Sequence, residues 1–377
     1  MHRLLLIFVI VVPGFGTVAQ DLLTENIVVI TIDGYRWREV FLGADKKILF
    51  HHDHVKDKTV QDRFWHKSPK KRRELLMPFF WSVIGTEGQL YGNRRYKNKI
   101  KCTNGNLYSY AGYSEMFVGF VDKRVKDNTA VVNPNYSVFE FIEKQPGFQN
   151  SVAAFSTWGV MPYILREDQS GIHINSGNDK ARGADISEKE KILNHITQDI
   201  RNPHGDRYDK FTFEYAYEYL KREQPRVLYI GFDETDEHGH GERYDEYLKS
   251  AHRIDAMIGQ LWGWIQSHPK YKNKTTLLIT TDHGRGTNPS GWQRHACLFR
   301  GSSHIWLAVM GPDTPPSGEM KNKMRLEQNQ VAKTIATFLD VPYHNVRPIG
   351  EPIATAFNYS GLEEPDDETL EAGVPNE

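Results

Sequence analysis

Three stretches of this chain end in side chains able to bind a metal ion. Asn26–Arg36 (NIVVITIDGYR) closes on Asp33 and Gly34, Arg226–Asp236 (RVLYIGFDETD) ends in acids, and Thr275–Gly284 (TTLLITTDHG) ends in Asp282, His283 and Gly284. Asp236 and His240 lie four apart in DEHGH, and His304 immediately precedes the apolar run IWLAVM. Asp33, Asp236, Asp282, His240, His283 and His304 together supply three carboxylates and three imidazoles. This mixture suits Zn²⁺, with Mn²⁺ and Fe as competitors. Six ligands exceed what one zinc takes, so two metal ions are the more economical reading. Singly, a strand-end Asp is more often a cap and Asp-His-Gly a common turn. The combination is what points to metal chemistry.

The elements that must position these residues follow from hydrophobic patterning. A continuous apolar run closed by a turn glycine reads as a strand buried on both faces, as in a parallel sheet. Ligands of open α/β sheets bind beyond the carboxyl edge of such strands. Leu107–Phe120 reads as a loop opening into a short helix, Ser137–Glu143 as a helix, Ser151–Phe155 as a strand and Ile305–Met310 as another buried strand. Apolar residues at helical spacing predict helices over Arg72–Leu90 (Leu75, Phe79, Val83, Ile84), around Phe211–Tyr219, over Tyr247–Ile265, and from Val331 to Leu339. Ala44–Lys71 reads as an irregular excursion whose His51, His52, Asp53 and His54 are solvated, and Leu165–Lys189 as loop followed by the start of a helix. The alternation predicts a single α/β domain over residues 20–362, with a largely parallel central sheet flanked by helices.

Composition narrows the class. The formal net charge of −1 offers no nucleic-acid patch. Residues 1–19 carry His2 and Arg3, an apolar run and small residues, the pattern of a secretory signal peptide cleaved after Ala19 or Gln20, so the mature chain is expected to be secreted or periplasmic with no membrane span. Residues 363–377 read as an acidic, disordered tail. Cys102 and Cys297 are the two cysteines, and pairing between them is left open.

The order of these motifs resembles the alkaline phosphatase superfamily: TIDG, a hydroxyl residue before a short helix, DxxGH, TDHG, then a further His. The closest pattern is its nucleotide pyrophosphatase/phosphodiesterase branch and secreted bacterial relatives. The resemblance covers about Ile27–Phe357, including VAKTIATFLDVP and PIGEPI. It sets Ser109, in Ser109-Tyr110-Ala111-Gly112-Tyr113-Ser114, on that branch's Thr nucleophile, with Ser114 and Thr103 as alternatives; Ala111 and Gly112 depart from its Pro-Asn. It implies two zinc ions, one held by Asp33, Ser109, Asp282 and His283, the other by Asp236, His240 and His304, with His238 the rival of His240. It implies phosphoryl transfer through a phosphoseryl intermediate on a small phosphate ester. Asn133 falls on an oxyanion-binding Asn, with Asn128 and Asn135 as rivals, and Arg285 either binds phosphate or braces its loop.

A formylglycine sulfatase does not fit, because neither CTNGN at Cys102 nor SYAGY at Ser109 matches CxPxR or SxPxR. Sulfate or phosphonate ester hydrolysis on the same site, and a non-catalytic metal- or glycan-binding protein on a degenerate phosphatase fold, are the alternatives. Trp158, Trp292 and Tyr244 either line a pocket or are buried near loops.

Overall fold

The structure, a computed structural model, describes residues 22–202 and 205–358. The expected signal peptide and acidic tail lie outside the described residues. The strands are β1 (Asn26–Ile32), β2 (Gln89–Tyr91), β3 (Asn98–Lys101), β4 (Val152–Ser156), β5 (His173–Ser176), β6 (Val227–Phe232), β7 (Thr275–Thr280), β8 (His304–Ile305), β9 (Leu307–Met310), β10 (Gly318–Glu319) and β11 (Met324–Glu327). Eight form the central sheet in the order β10-β2-β9-β7-β1-β6-β4-β5, and β11-β3-β8 form a second, three-stranded sheet. β1 runs parallel to both β6 and β7, and only β9 is reversed within the large sheet. Every residue of β1, β6 and β7 is buried, which explains why these strands read as unbroken apolar runs. The expected α/β architecture with a largely parallel sheet is the one observed.

Helices pack over the sheet. Tyr244–Ser267 buries Tyr247, Ala251, Ile254, Ile258, Leu261 and Ile265, its spacing of three and four residues forming one continuous stripe. Ser109–Val118, the short helix expected after its loop, Asp209–Glu223 and Gln330–Phe338 are further helices that the sequence foresees. Among the described residues no helix is long and apolar enough to cross a membrane.

Four expectations need correction. The helix predicted over Arg72–Leu90 breaks after Leu76, where Pro78 lacks an N–H; Leu75 is exposed, and Leu90 lies in β2. The polar excursion 44–71 contains two short helices, Lys46–Leu49 and Thr59–Phe64. Within the stretch read as loop, His173–Ser176 forms edge strand β5 and Glu167–Ser170 a helical turn. The run Ile305–Met310 divides at Trp306 between the two sheets. Cys102 and Cys297 are not paired: the first is buried, the second exposed.

Asp255, on the long helix, accepts the backbone N–H groups of Phe79 and Phe80, both at 2.8 Å, and so ties that helix to the segment after Pro78. Asp255→Ala leaves one buried and one part-buried donor without partners, and urea unfolding should show a loss of about 1–3 kcal/mol at unchanged slope. A loss below about 0.5 kcal/mol would show that water replaces the carboxylate.

Candidate metal centre

β1, β6 and β7 lie side by side, so the residues just past their ends converge. Asp33 follows β1, Asp282 and His283 follow β7, and beyond β6 the chain turns into the helix Glu234–His240, which carries Asp236 and His240. Asp33, Asp282 and His283, all buried, bring ligand atoms within 4.8 Å of one another, and Asp236, His240 and His295 do the same. The His283 and His295 rings stack at 3.9 Å between centroids, joining the two triads.

In the first triad His283 Nδ1 lies 3.0 Å from the Gly284 carbonyl, which only accepts, so Nδ1 carries the proton and Nε2 turns a lone pair inward. Nε2 is 3.5 Å from Asp33 Oδ1 and 3.5 Å from Asp282 Oδ2. Both oxygens are buried without a hydrogen-bond partner. Ser109, the first residue of the helix Ser109–Val118, is buried with Oγ 3.2 Å from the same Nε2. Two orphaned carboxylate oxygens, an imidazole lone pair and a hydroxyl thus converge, and that donor set fits a divalent cation such as zinc. Tyr113 donates to the other Asp33 oxygen at 3.1 Å, and the Gly34 N–H to Asp282 Oδ1 at 3.1 Å.

In the second triad the helical turn stacks His240 over Asp236, 3.1 Å apart. His295 Nδ1 donates to the Leu107 carbonyl at 2.8 Å, which leaves its Nε2 lone pair facing the cluster, 2.9 Å from His240 Nε2. Arg285 pairs with Asp236 Oδ1 and donates to the Trp292 carbonyl at 3.0 Å. It braces the loop that delivers His295, one of the two roles open to it. Gly239 explains the glycine in DEHGH, since a Cβ there would lie 2.5 Å from the Arg285 guanidinium carbon. Gly112 is likewise required: its Cβ would come within 2.5 Å of the Asp282 carbonyl oxygen, so the departure from Pro-Asn admits the helix against the β7 loop.

His304 does not join the cluster. It pairs in β8 with Lys101 of β3, where Arg94, Arg300 and Lys99 are the charges that act on it, and Asp236 and His240 are met instead by His295. Sequence reading passed over His295 because its segment has no periodicity. His238 faces Glu234 at 4.0 Å and stands outside the triad. Asn133 is occupied locally, donating to Ser114 Oγ and accepting the Asn135 N–H, both at 3.0 Å. Asn128 instead accepts the Tyr110 N–H at 3.0 Å, one residue from Ser109. Thr103 and Ser114 are engaged by Glu115 and Asn133 respectively. Trp292 and Tyr244 are fully buried and meet edge to face, 5.1 Å between centroids, so burial is their role. A third group, Asp206, Asp233 and Glu237, lies alongside, and His51, His52 and Asp53 form a surface group.

The charges are poorly balanced. Burial, then Asp282 and Asp236, push the Asp33 carboxyl well above its usual range, and burial, then Asp236, raise Asp282 to about 7. Burial also raises Asp236, but Arg285 and the imidazoles of His295 and His240 outweigh it and hold that carboxyl low. Burial, then His295, keep His283 neutral.

By fold, the chain is alkaline phosphatase-like. Over residues 123–298 it matches the model of the type I phosphodiesterase / nucleotide pyrophosphatase family. That stretch contains Asp236, His240, Asp282, His283 and His295 and stops short of His304. No curated protein matches the chain by sequence. Among solved structures, wild-type alkaline phosphatase PafA is 10% identical with a TM-score of 0.58, over 89% of this chain and 99% of that one. The lipoteichoic acid synthase LtaP from Listeria monocytogenes is 11% identical with a TM-score of 0.55, over 89% and 76%. The phosphonate monoester hydrolase of Agrobacterium radiobacter is 12% identical with a TM-score of 0.55, over 90% and 79%. The resemblance read from the motifs therefore holds for the fold, and the family match over residues 123–298 agrees with the phosphodiesterase branch named for it.

Without cations, Asp33 and Asp282 favour protonation in the folded chain, whereas unfolded carboxyls titrate near ~4. Buried imidazoles that stay neutral in the folded chain, those of His283, His295 and His304 among them, oppose this while unfolded imidazoles still carry protons, below ~6.5. The folded state binds the more protons in the window from there up through the raised values of Asp282, about 7, and of Glu234 and Glu237, about 8 chiefly by burial. Stability falls as pH rises through it. Chelator-treated protein should lose thermal stability across that range and added Zn²⁺ should flatten the profile; a flat profile without metal would contradict this charge balance.

Proposed function

We propose that this protein is a secreted two-metal phosphoric ester hydrolase in which Ser109 is the nucleophile. The observation that carries this reading is the convergence of Ser109 Oγ on His283 Nε2 at 3.2 Å, among the orphaned oxygens of Asp33 and Asp282 and beside the Asp236–His240–His295 triad. Asp33, Ser109, Asp282 and His283 would hold one divalent ion, most simply zinc, and Asp236, His240 and His295 the other. Bound there, the two ions supply Lewis acidity that lowers the hydroxyl pKa and offsets charge on the transferring phosphoryl group.

The chain's own residues do the rest. Ser109 sits at the N-terminus of a buried helix, where the backbone dipole favours developing negative charge on its oxygen. The Gly284 and Leu107 carbonyls fix the His283 and His295 tautomers, and Arg285 keeps Asp236 ionised. Asn128, held beside Ser109, is better placed than Asn133 to donate to a phosphoryl oxygen. The match over residues 123–298 favours a phosphodiester or nucleotide pyrophosphate, and the N-terminal sequence supports secretion.

Nitrophenyl phosphodiester, phosphomonoester, phenylphosphonate and sulfate esters should be compared with zinc present. Ser109→Ala and His295→Ala are expected to lose at least about 10³-fold in kcat/KM on the preferred ester, while His304→Ala keeps wild-type turnover. Full activity in Ser109→Ala, or loss in His304→Ala with His295→Ala active, would overturn the assignment.

A further inference from the structure

Beside the three-stranded sheet lies a groove of about 670 Å³ lined by Arg94, Lys99, Lys101, Arg325, Glu327 and Glu351. β3 alternates buried Asn98 and Ile100 with exposed Lys99 and Lys101, so both lysines stand on one face. The register sets Glu327 of β11 opposite Lys101 but Arg325 directly opposite Lys99. Lys101 and Glu327 pair at 3.2 Å. Lys99 and Arg325 oppose like charges, which destabilises adjoining strands. Glu351 is engaged by Lys333.

Arg94 adds a third uncompensated cation. Its guanidinium donates to the Ile100 carbonyl at 3.2 Å, meets no carboxylate among the described residues, and is lowered by burial to about 10. On the neighbouring strand His304 Nδ1 is buried with no hydrogen-bond partner. Burial, then Arg94, Arg300 and Lys99, lower its pKa to about 4. The whole chain, by contrast, has a net charge of −1. Three cations held around one groove, two of them forced together by strand register, cost stability unless an anion sits between them.

We propose that this groove is an oxyanion-binding site that takes phosphate or sulfate groups, separate from the two triads. It is mechanically joined to them. Lys101 precedes Cys102, whose Sγ donates to the Asp282 carbonyl at 3.1 Å, and Glu327 precedes Gln328, whose Nε2 donates to the same oxygen at 2.6 Å. An oxyanion in the groove therefore stiffens the strands that back the Asp282 peptide.

The test is calorimetric titration of the zinc-loaded protein with inorganic phosphate and with tripolyphosphate, comparing wild type with the double variant Lys99→Gln/Arg325→Gln. Binding at the two triads is common to both proteins, so the difference isolates the groove, whether or not the triads hydrolyse any ester. The variant should bind at least about 10-fold more weakly at this additional site, keep nitrophenyl ester turnover, and melt higher than wild type without anion because the like-charge pair is gone. Equal affinity for the two anions would identify a site for free phosphate; preference for tripolyphosphate would identify one for linked phosphates. Identical titrations of wild type and variant with both anions would overturn the proposal.

Discussion

Everything in this molecule turns on the cost of gathering carboxylates where water cannot reach them. Asp33 and Asp282 are about 1% and 0% exposed, at adjoining strand ends, with Asp236 close by. Coulomb repulsion between such groups grows steeply as the effective dielectric falls. One cation of the chain itself, Arg285, pairs within this group, and it is committed to Asp236. The remaining pair is left with orphaned oxygens facing an imidazole lone pair, a donor set that suits a divalent cation.

The fold is organised to hold that arrangement in register. Three parallel buried strands set the spacing of Asp33, Asp282 and the chain entering Asp236. The helix from Ser109 lies against the β7 loop at Gly112, and Arg285 presses on Gly239 while tying down the loop that carries His295. Backbone carbonyls, rather than carboxylates, orient both inward-facing imidazoles of His283 and His295, so their geometry does not depend on further ionised groups. The same β7 loop is backed by Cys102 and Gln328, which connects the centre to the basic groove on the small sheet.

The central sheet was legible because its inner strands are buried on both faces and must be apolar throughout, as NIVVITI and TTLLIT are. The strand-end rule then located Asp33, Asp282 and His283, and i, i+4 spacing paired Asp236 with His240. The same rule misplaced His304, since its apolar run begins in the small sheet and crosses into the large one at Trp306. His295 was illegible for a physical reason: it sits in an irregular segment whose course is set by Arg285 donating to the Trp292 carbonyl and by the His295–Leu107 hydrogen bond, both tertiary contacts without a periodic trace. Edge strand β5, HINS, escaped notice because four mostly polar residues carry no alternation to read.

On the proposed reading, these two triads are the two halves of one binuclear centre. Crystals of the zinc-loaded protein, measured across the zinc absorption edge, test it most directly. Two anomalous peaks roughly 4 Å apart are expected, one among Asp33, Ser109, Asp282 and His283, the other among Asp236, His240 and His295. A single peak, peaks at His304 instead of His295, or none at the strand ends would contradict it.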